Sequence, residues 1–187
     1  MNNNKTIETL IKETEEITSK AKNSFANLTN IQLNWKPAAE RWSVAQCLEH
    51  LRSTNEAYFP TFDAIARGEK KVRVVERLPL FPTIFGNLLK RSVDPTSTRK
   101  LKAPGKIQPA SSNLDSSVLP NFIEQQQSII RHMNTLKYKE PEKIIVTSPL
   151  LSLITYSLMD AFRIIVAHEQ RHLIQASNVA AEESFPR

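Results

Sequence analysis

Apolar residues recur at steps of three and four positions through long stretches of this chain. In the first stretch, residues 5–28, the recurring positions include Ile7, Leu10, Ile17, Ala21 and Phe25, with Lys and Glu residues between them. That spacing places apolar side chains along one face of an α-helix. No segment shows the clean alternation of apolar and polar residues that indicates a β-strand. The pattern therefore predicts an all-α protein in which helices bury their apolar faces against one another.

Three more long helices are predicted from the same spacing, over residues 43–67, 116–140 and 152–180. Ser43 and Ser152 are suited to cap the second and the fourth helix, because a serine hydroxyl accepts a hydrogen bond from a free N–H of the first turn. Gly68 is a natural end for the second helix. Four amphipathic helices of this length predict a four-helix bundle.

The connection between the second and third helices, residues 69–117, is long and rich in proline. Five prolines between positions 79 and 109 exclude a long helix there, although a short helix is predicted near Pro82. Residues 69–106 carry ten Lys or Arg residues and three acids, a net charge of +7, so the rest of the chain is at −1. Such charge can attract an anionic surface or nucleic acid, but no aromatic stacking pattern accompanies it, and a solvated loop is favoured. We therefore predict a basic, proline-rich crossover inserted into a single domain of residues 1–187.

Composition limits the class of protein further. The chain has 187 residues, which is enough for one domain with a buried core. It has 3 Gly against 11 Pro, which argues against a turn-rich β fold and against glycine-rich phosphate loops. The first ten residues lack the apolar core of a signal peptide, no apolar run is long enough to span a membrane, and the single Cys fits a reducing compartment. A cytoplasmic protein is therefore expected.

Residues 168–172, HEQRH, carry the most informative motif. His168 and His172 are four positions apart, so on a helix they stack on one face and can grip one metal ion. The alternative is a pair of core-edge or surface histidines bonded to polar neighbours. H-E-x-x-H is also the pattern of zinc proteases, but the position six residues after His172 is Asn178 rather than a histidine, and no sheet is predicted to bind a substrate strand. A protease is therefore the minor interpretation.

Two histidines do not complete a metal site, and the better candidates for a third ligand lie upstream. His50 lies among apolar positions in the second predicted helix, and it is expected to face the bundle interior or its rim. His132 has polar neighbours in the third helix and is expected near the surface. His50 together with His168 and His172 would form a three-histidine site with open coordination positions, as in catalytic metal centres.

Four other residues have both a structural and a functional interpretation. Glu169 is a candidate general base, with an outward salt bridge or a contact to an imidazole N–H as the alternatives. Cys47, one turn before His50, is interpreted as a small buried hydrophobic residue rather than a ligand. Trp35 and Trp42 are interpreted as packing residues near the start of the second helix.

Four segments follow one another along the chain: WKPAAE, RWSVAQCLEHL, KAPGKIQP and HEQRHLIQA. As an ordered set they resemble the DinB-like superfamily of metal-binding four-helix bundles, which includes the YfiT-type proteins and the bacillithiol transferases. The resemblance extends from the first helix to about Gln175. It implies a divalent metal ion, zinc or nickel, held by one histidine of the second helix and two of the fourth, which are His50, His168 and His172 in this chain.

The resemblance also implies an activity. Members with a known reaction are thiol-dependent S-transferases or isomerases that use a low-molecular-weight thiol, others are described as metal-dependent hydrolases, and homodimers are common. We therefore expect a metal-dependent transferase or hydrolase that acts on a small molecule, with no membrane or nucleic-acid partner. The alternative hypothesis is a non-catalytic helical bundle that holds a metal for stability or sensing, or that binds a partner through its basic segment.

Overall fold

The computed structural model describes residues 6–77 and 113–187. In chain order the elements are α1 (Ile7–Phe25), α2 (Asn30–Asn34), α3 (Val44–Glu56), α4 (Phe59–Ala66), a 3₁₀ turn (Val74–Arg77), α5 (Val118–Leu136), β1 (Ile145–Thr147), β2 (Thr155–Ser157) and α6 (Leu158–Ala180). The short helix predicted near Pro82 and most of the predicted crossover lie outside the described residues. Within those residues, no helix combines the length and the hydrophobicity needed to cross a bilayer.

Helices α1, α3, α5 and α6 form a four-helix bundle, which confirms the predicted fold class. α1 packs against α5 and α6, and α3 packs against the same two helices. The pairs α1/α3 and α5/α6 therefore occupy the diagonals of the bundle. A diagonal step needs a longer connection than a hairpin between neighbours, and α2 and the two strands lie in these connections. The core between the helices consists of fully buried side chains that include Phe25, Leu48, Phe122, Ile129 and Phe162.

The helix that carries His50 begins where its sequence predicts. The Ser43 hydroxyl accepts a hydrogen bond from the Gln46 N–H, and the Gln46 side chain accepts one from the Ser43 N–H, both at 3.1 Å. This reciprocal capping box satisfies two N–H groups that the helix itself leaves without a partner. The predicted cap at Ser43 is therefore confirmed, and it fixes the first turn of α3.

The second predicted helix is interrupted in the structure. α3 ends at Glu56 and α4 begins at Phe59. Pro60 lies in the first turn of α4, where its missing N–H costs no helical hydrogen bond, whereas inside a continuous helix its ring would clash with the preceding turn. The prediction of one continuous helix is therefore wrong. Its predicted end is confirmed, because Gly68 follows the helix with a φ of +74°.

A short antiparallel ribbon precedes the last helix. β1 pairs with β2, with Val146 opposite Tyr156, and the chain passes directly from Ser157 into α6. The expectation of no strand is wrong here, because three residues are too few to show an alternation in the sequence. The predicted helix start after Ser152 is also wrong, because pairing with β1 holds residues 155–157 in an extended conformation.

Ser157 is the N-cap of α6, and its hydroxyl accepts a hydrogen bond from the Asp160 N–H at 3.0 Å. We expect Ser157→Ala to lower the free energy of unfolding by about 1 kcal/mol, since the first turn loses its cap. Ser152→Ala is the matched control because Ser152 lies in the loop between the strands, and it should change stability by less than about 0.5 kcal/mol. Equilibrium unfolding in urea measures both variants. Equal effects would contradict a helix that starts at Leu158.

Candidate metal centre

Three histidines meet where α3 packs against α6. His50 lies in the middle of α3, and His168 and His172 lie one turn apart in α6. Because the two helices are neighbours in the bundle, they bring His50 beside His168 although 118 positions separate these residues in the chain. The structure therefore brings together the three histidines that the sequence singles out.

The distances between the imidazoles suit a single ion. His50 Nε2 lies 3.2 Å from His168 Nε2. One ring nitrogen from each of the three histidines, His172 included, lies within 4.8 Å of the others. Two nitrogens bound to one tetrahedral zinc ion at about 2.0–2.1 Å are about 3.3 Å apart. The contact between His50 and His168 is therefore close to the spacing that a shared ion requires.

The cluster is largely shielded from water. His50 is 2% exposed, and His168 and His172 are partly buried. Within the described part of the chain, the buried Nδ1 of His172 has no hydrogen-bond partner. A buried polar nitrogen without a partner is costly in a folded protein, and a metal ion is a partner that would satisfy an imidazole nitrogen. The burial of His50 and the partial burial of His168 and His172 therefore fit a metal site, as the spacing of the three side chains does.

Burial also favours the neutral form of two of these imidazoles, those of His168 and His172. The pKa of His168 lies well below its usual value, mainly because of burial and then because of His172 and His50. Burial lowers the pKa of His172 to about 3, and the nearby His50 and Arg171 contribute to the shift. Neutral imidazole is the form that binds metal ions, so the folded chain presents ligands that need not first lose a proton.

The lowered pKa of His172 should make the metal-free protein sensitive to acid. An unfolded histidine takes up a proton near pH 6.5, whereas folded His172 does so near pH 3. As the pH falls below 6.5, the unfolded state binds more protons than the folded state, and the free energy of unfolding decreases. For each pH unit below 6.5, His172→Gln should remove roughly 1 kcal/mol of the decrease in the free energy of unfolding. Urea unfolding of both proteins with chelator measures the slopes, and parallel pH profiles would contradict a neutral His172.

Trp42 forms one wall of the histidine cluster. The centroid of its ring lies 5.5 Å from that of His172 at an interplanar angle of 17°, and 4.8 Å from that of His50 at 58°. The sequence indicates only a packing role for this residue. No sequence signal separates it from Trp35, whose described ring contact is with Phe185.

Glu169 points to the centre of the bundle. It is 0% exposed, and its Oε1 accepts hydrogen bonds from Asn55 Nδ2 of α3 and Gln126 Nε2 of α5, both at 2.7 Å. The outward salt bridge considered from the sequence therefore does not form. Burial raises the pKa of Glu169 to about 7, and the hydrogen bonds from Gln126 and Asn55 oppose this shift. In the sequence, neither amide is distinguishable from a solvated polar residue.

Cys47 and His132 lie outside the cluster. Cys47 is 0% exposed, and burial raises the pKa of its thiol to about 12, which confirms its interpretation as a small hydrophobic residue. His132 Nε2 lies 2.9 Å from Asp63 Oδ1, and its Nδ1 lies 2.9 Å from the carbonyl oxygen of Ser128. His132 therefore joins α4 to α5 on the partly exposed side of the bundle, apart from the other three histidines.

Fold and site together define a class of protein, a helical bundle in which three histidines from two neighbouring helices converge. Residues 13–176 match the sequence profile of the DinB superfamily. The chain therefore belongs to the DinB superfamily, as its ordered motifs indicate.

Two proteins of Bacillus subtilis are similar to this chain. The uncharacterized protein YuaE of strain 168 is 23% identical over 158 residues, which cover 84% of this chain and 88% of YuaE. YfiT is described as a probable metal-dependent hydrolase with an unusual four-helix bundle topology. The structure of YfiT matches with a TM-score of 0.58 and 16% sequence identity, over 96% of this chain and 89% of YfiT. At that level of identity the match shows a shared fold.

Proposed function

We propose that the chain binds one divalent metal ion, zinc or nickel, through His50, His168 and His172, and that it acts as a metal-dependent enzyme on a small molecule. The observation that carries the proposal is the convergence of three ring nitrogens within 4.8 Å. Membership of the DinB superfamily and the description of YfiT support it. Imidazole is also a suitable ligand for both zinc and nickel.

Three protein ligands leave coordination positions open, which is typical of catalytic rather than structural metal sites. A divalent ion in this site would supply Lewis acidity and lower the pKa of a water or thiol ligand. The chain holds three imidazoles at the contact between two helices and packs Trp42 against two of them, His50 and His172. Arg171, whose charge helps to lower the pKa of His168 and His172, would attract an anionic substrate or a thiolate.

In this proposal, Glu169 supports the site from the bundle interior. It does not act as the general base. Its carboxyl group joins α3, α5 and α6 through Asn55 and Gln126, and it follows His168 directly in the chain. These bonds fix α3 against α6 close to the contact between His50 and His168. Altering groups that orient metal ligands typically changes metal affinity by about 10–100-fold.

Two reactions fit this site. Hydrolysis adds the elements of water across a bond of the substrate. In S-transfer, the thiol sulfur forms a bond to an electrophilic carbon, the leaving group departs with the bonding electrons, and the thiol proton passes to solvent. A low-molecular-weight thiol is the expected co-substrate of the transfer, by resemblance to transferases of the superfamily, whereas the description of YfiT favours hydrolysis.

Turnover by zinc-loaded and nickel-loaded protein tests the proposal. A nitrophenyl ester probes hydrolysis, and a small thiol with an electrophilic aryl halide probes transfer. We expect one of these reactions to exceed the rate with metal and buffer alone, and to stop when a chelator removes the ion. If neither reaction occurs and the chelator lowers the melting temperature strongly, the ion serves stability, which is the non-catalytic alternative. The homodimer stays a prediction, which sedimentation of the same preparation would test.

A further inference from the structure

We infer that Trp42 is a positioning residue of the metal site, which fixes the plane of the His172 ring and closes one side of the histidine cluster. The inference rests on the proposed function and assigns a role to a residue that offers no ligand atom. The indole nitrogen carries a hydrogen and acts only as a donor, so Trp42 does not bind the ion itself. A substrate must then approach the ion from a side that the indole leaves open.

The indole of Trp42 packs against the imidazoles of His172 and His50. The rings of Trp42 and His172 are nearly parallel, at 17° with centroids 5.5 Å apart, and the His50 ring packs against the same indole at 4.8 Å. The lone pair of an imidazole nitrogen lies in the plane of its ring. An imidazole that is stacked on an indole therefore keeps its lone pair in a fixed plane, and the indole excludes water from the covered face.

The neighbours of Trp42 in the chain are both anchored to the helices that carry the histidines. Ser43 caps α3 through the hydrogen bonds of its capping box. Arg41 forms an ion pair with Glu182, just beyond the end of α6, at 2.6 Å. Trp42 is thereby held beside both helices, and its indole contacts an imidazole from each of them, His50 of α3 and His172 of α6.

Variants with a single tryptophan test the contact. The chain has two tryptophans, and Trp35 packs against Phe185. In Trp35→Phe, the fluorescence of Trp42 should fall strongly when Ni²⁺ binds, because quenching by Ni²⁺ decreases steeply with distance. In Trp42→Phe, the fluorescence of Trp35 should change much less. Equal quenching in the two variants would overturn the inference.

Affinity for Zn²⁺ tests the positioning role. Trp42→Phe keeps an aromatic face and should bind Zn²⁺ nearly as well as the wild type, whereas Trp42→Ala should bind about 10–100-fold more weakly, as expected for the loss of a group that orients ligands. Trp35→Ala is the matched control and should bind as the wild type does. Melting of each metal-free variant separates weak binding from poor folding. If Trp42→Ala does not fold, the inference is tested by the fluorescence quenching in Trp35→Phe and Trp42→Phe.

The visible absorption of bound Co²⁺ tests whether Trp42 closes one side of the histidine cluster. Six-coordinate Co²⁺ absorbs more weakly than four-coordinate Co²⁺, so the absorption per bound ion should fall in Trp42→Ala, where further ligands gain access, and should be retained in Trp42→Phe. Wild-type affinity and absorption in Trp42→Ala would overturn the inference and leave the proposed metal site in place. A wild-type protein that binds no ion would overturn both.

Discussion

Replacing His50 by alanine is expected to lower the affinity for zinc or nickel by roughly 100- to 1,000-fold. Structural zinc sites with four ligands are worth about 10–16 kcal/mol, so one ligand represents about 2.5–4 kcal/mol. In addition, His50 is the one proposed ligand from α3, and without it the ion would be held by a single helix. The remaining pair, His168 and His172, should therefore bind metal weakly.

Metal analysis after dialysis against a weak chelator measures this effect. The wild type should keep a near-stoichiometric amount of metal, and His50→Ala should lose almost all of it. His132→Ala is the matched control, because His132 is bonded to Asp63 and to the Ser128 carbonyl and lies outside the cluster. Full retention of metal by His50→Ala, or an equal loss in both variants, would contradict the proposed site. Melting of the metal-free proteins shows whether the fold survives.

Glu169→Gln is expected to stabilise the metal-free protein at neutral and alkaline pH by up to roughly 3 kcal/mol. Burial raises the pKa of Glu169 from 4.5 to about 7. Between these values the unfolded chain releases a proton that the folded chain retains, so the free energy of unfolding decreases as the pH rises. Glutamine has no charge to bury. The gain should therefore be absent below pH 4.5 and complete above pH 7.

The hydrogen bonds around Glu169 also predict that Glu169→Gln stabilises the metal-free protein. Three buried oxygen atoms of this layer have no hydrogen-bond partner among residues 6–77 and 113–187: Asn55 Oδ1, Gln126 Oε1 and Glu169 Oε2. The amide that Glu169→Gln introduces keeps an oxygen for the donors of Asn55 and Gln126. It also adds an NH₂ group to a layer that has more acceptors than donors, and unpartnered buried acceptors are costly.

Urea unfolding over a range of pH, with chelator present, measures the effect of Glu169→Gln. Glu124→Gln is the matched control because Glu124 is an exposed acid on α5, and it should change stability by less than about 0.5 kcal/mol with no trend in pH. A uniform loss of stability in Glu169→Gln would mean that the fold requires the ionised carboxylate. A gain that does not grow with pH would contradict the raised pKa.

The helices were predictable because the signals that form them are local. In α1, the buried apolar residues are those of the apolar pattern: Ile7, Leu10, Ile17, Ala21 and Phe25. At α3, the cap and its partner Gln46 are three residues apart, so one short stretch of sequence contains the whole motif. Such patterns need no knowledge of the neighbouring elements, and the fold class follows from them.

Local signals failed where two segments distant in the sequence compete for the same residues. Ser152 and Ser157 are both acceptable caps by local rules, and only the pairing of β2 with β1 selects Ser157.

The break between α3 and α4 is a different case. Pro60 is a local signal for a break, but the periodic apolar pattern continues across it and predicts one helix.

The candidate site also contains some residues that local spacing predicts and others that it does not. Helical spacing pairs His168 with His172, and the place of His50 among apolar positions of another helix indicates it as the third ligand. Trp42 and the partners of Glu169 were not predictable, because their contacts depend on which helices are neighbours and which lie on a diagonal. Gln126 reaches Glu169 across the diagonal between α5 and α6.

By itself, the sequence determined the helical class, the apolar faces and the histidines available to bind a metal ion, because these follow from residue type and spacing within single helices. Only the tertiary structure decided that the three imidazoles come together, that an indole packs against two of them and that the carboxyl group of Glu169 is buried among amides. Those outcomes depend on the order and register of the packed helices, which a periodic pattern along one helix does not specify.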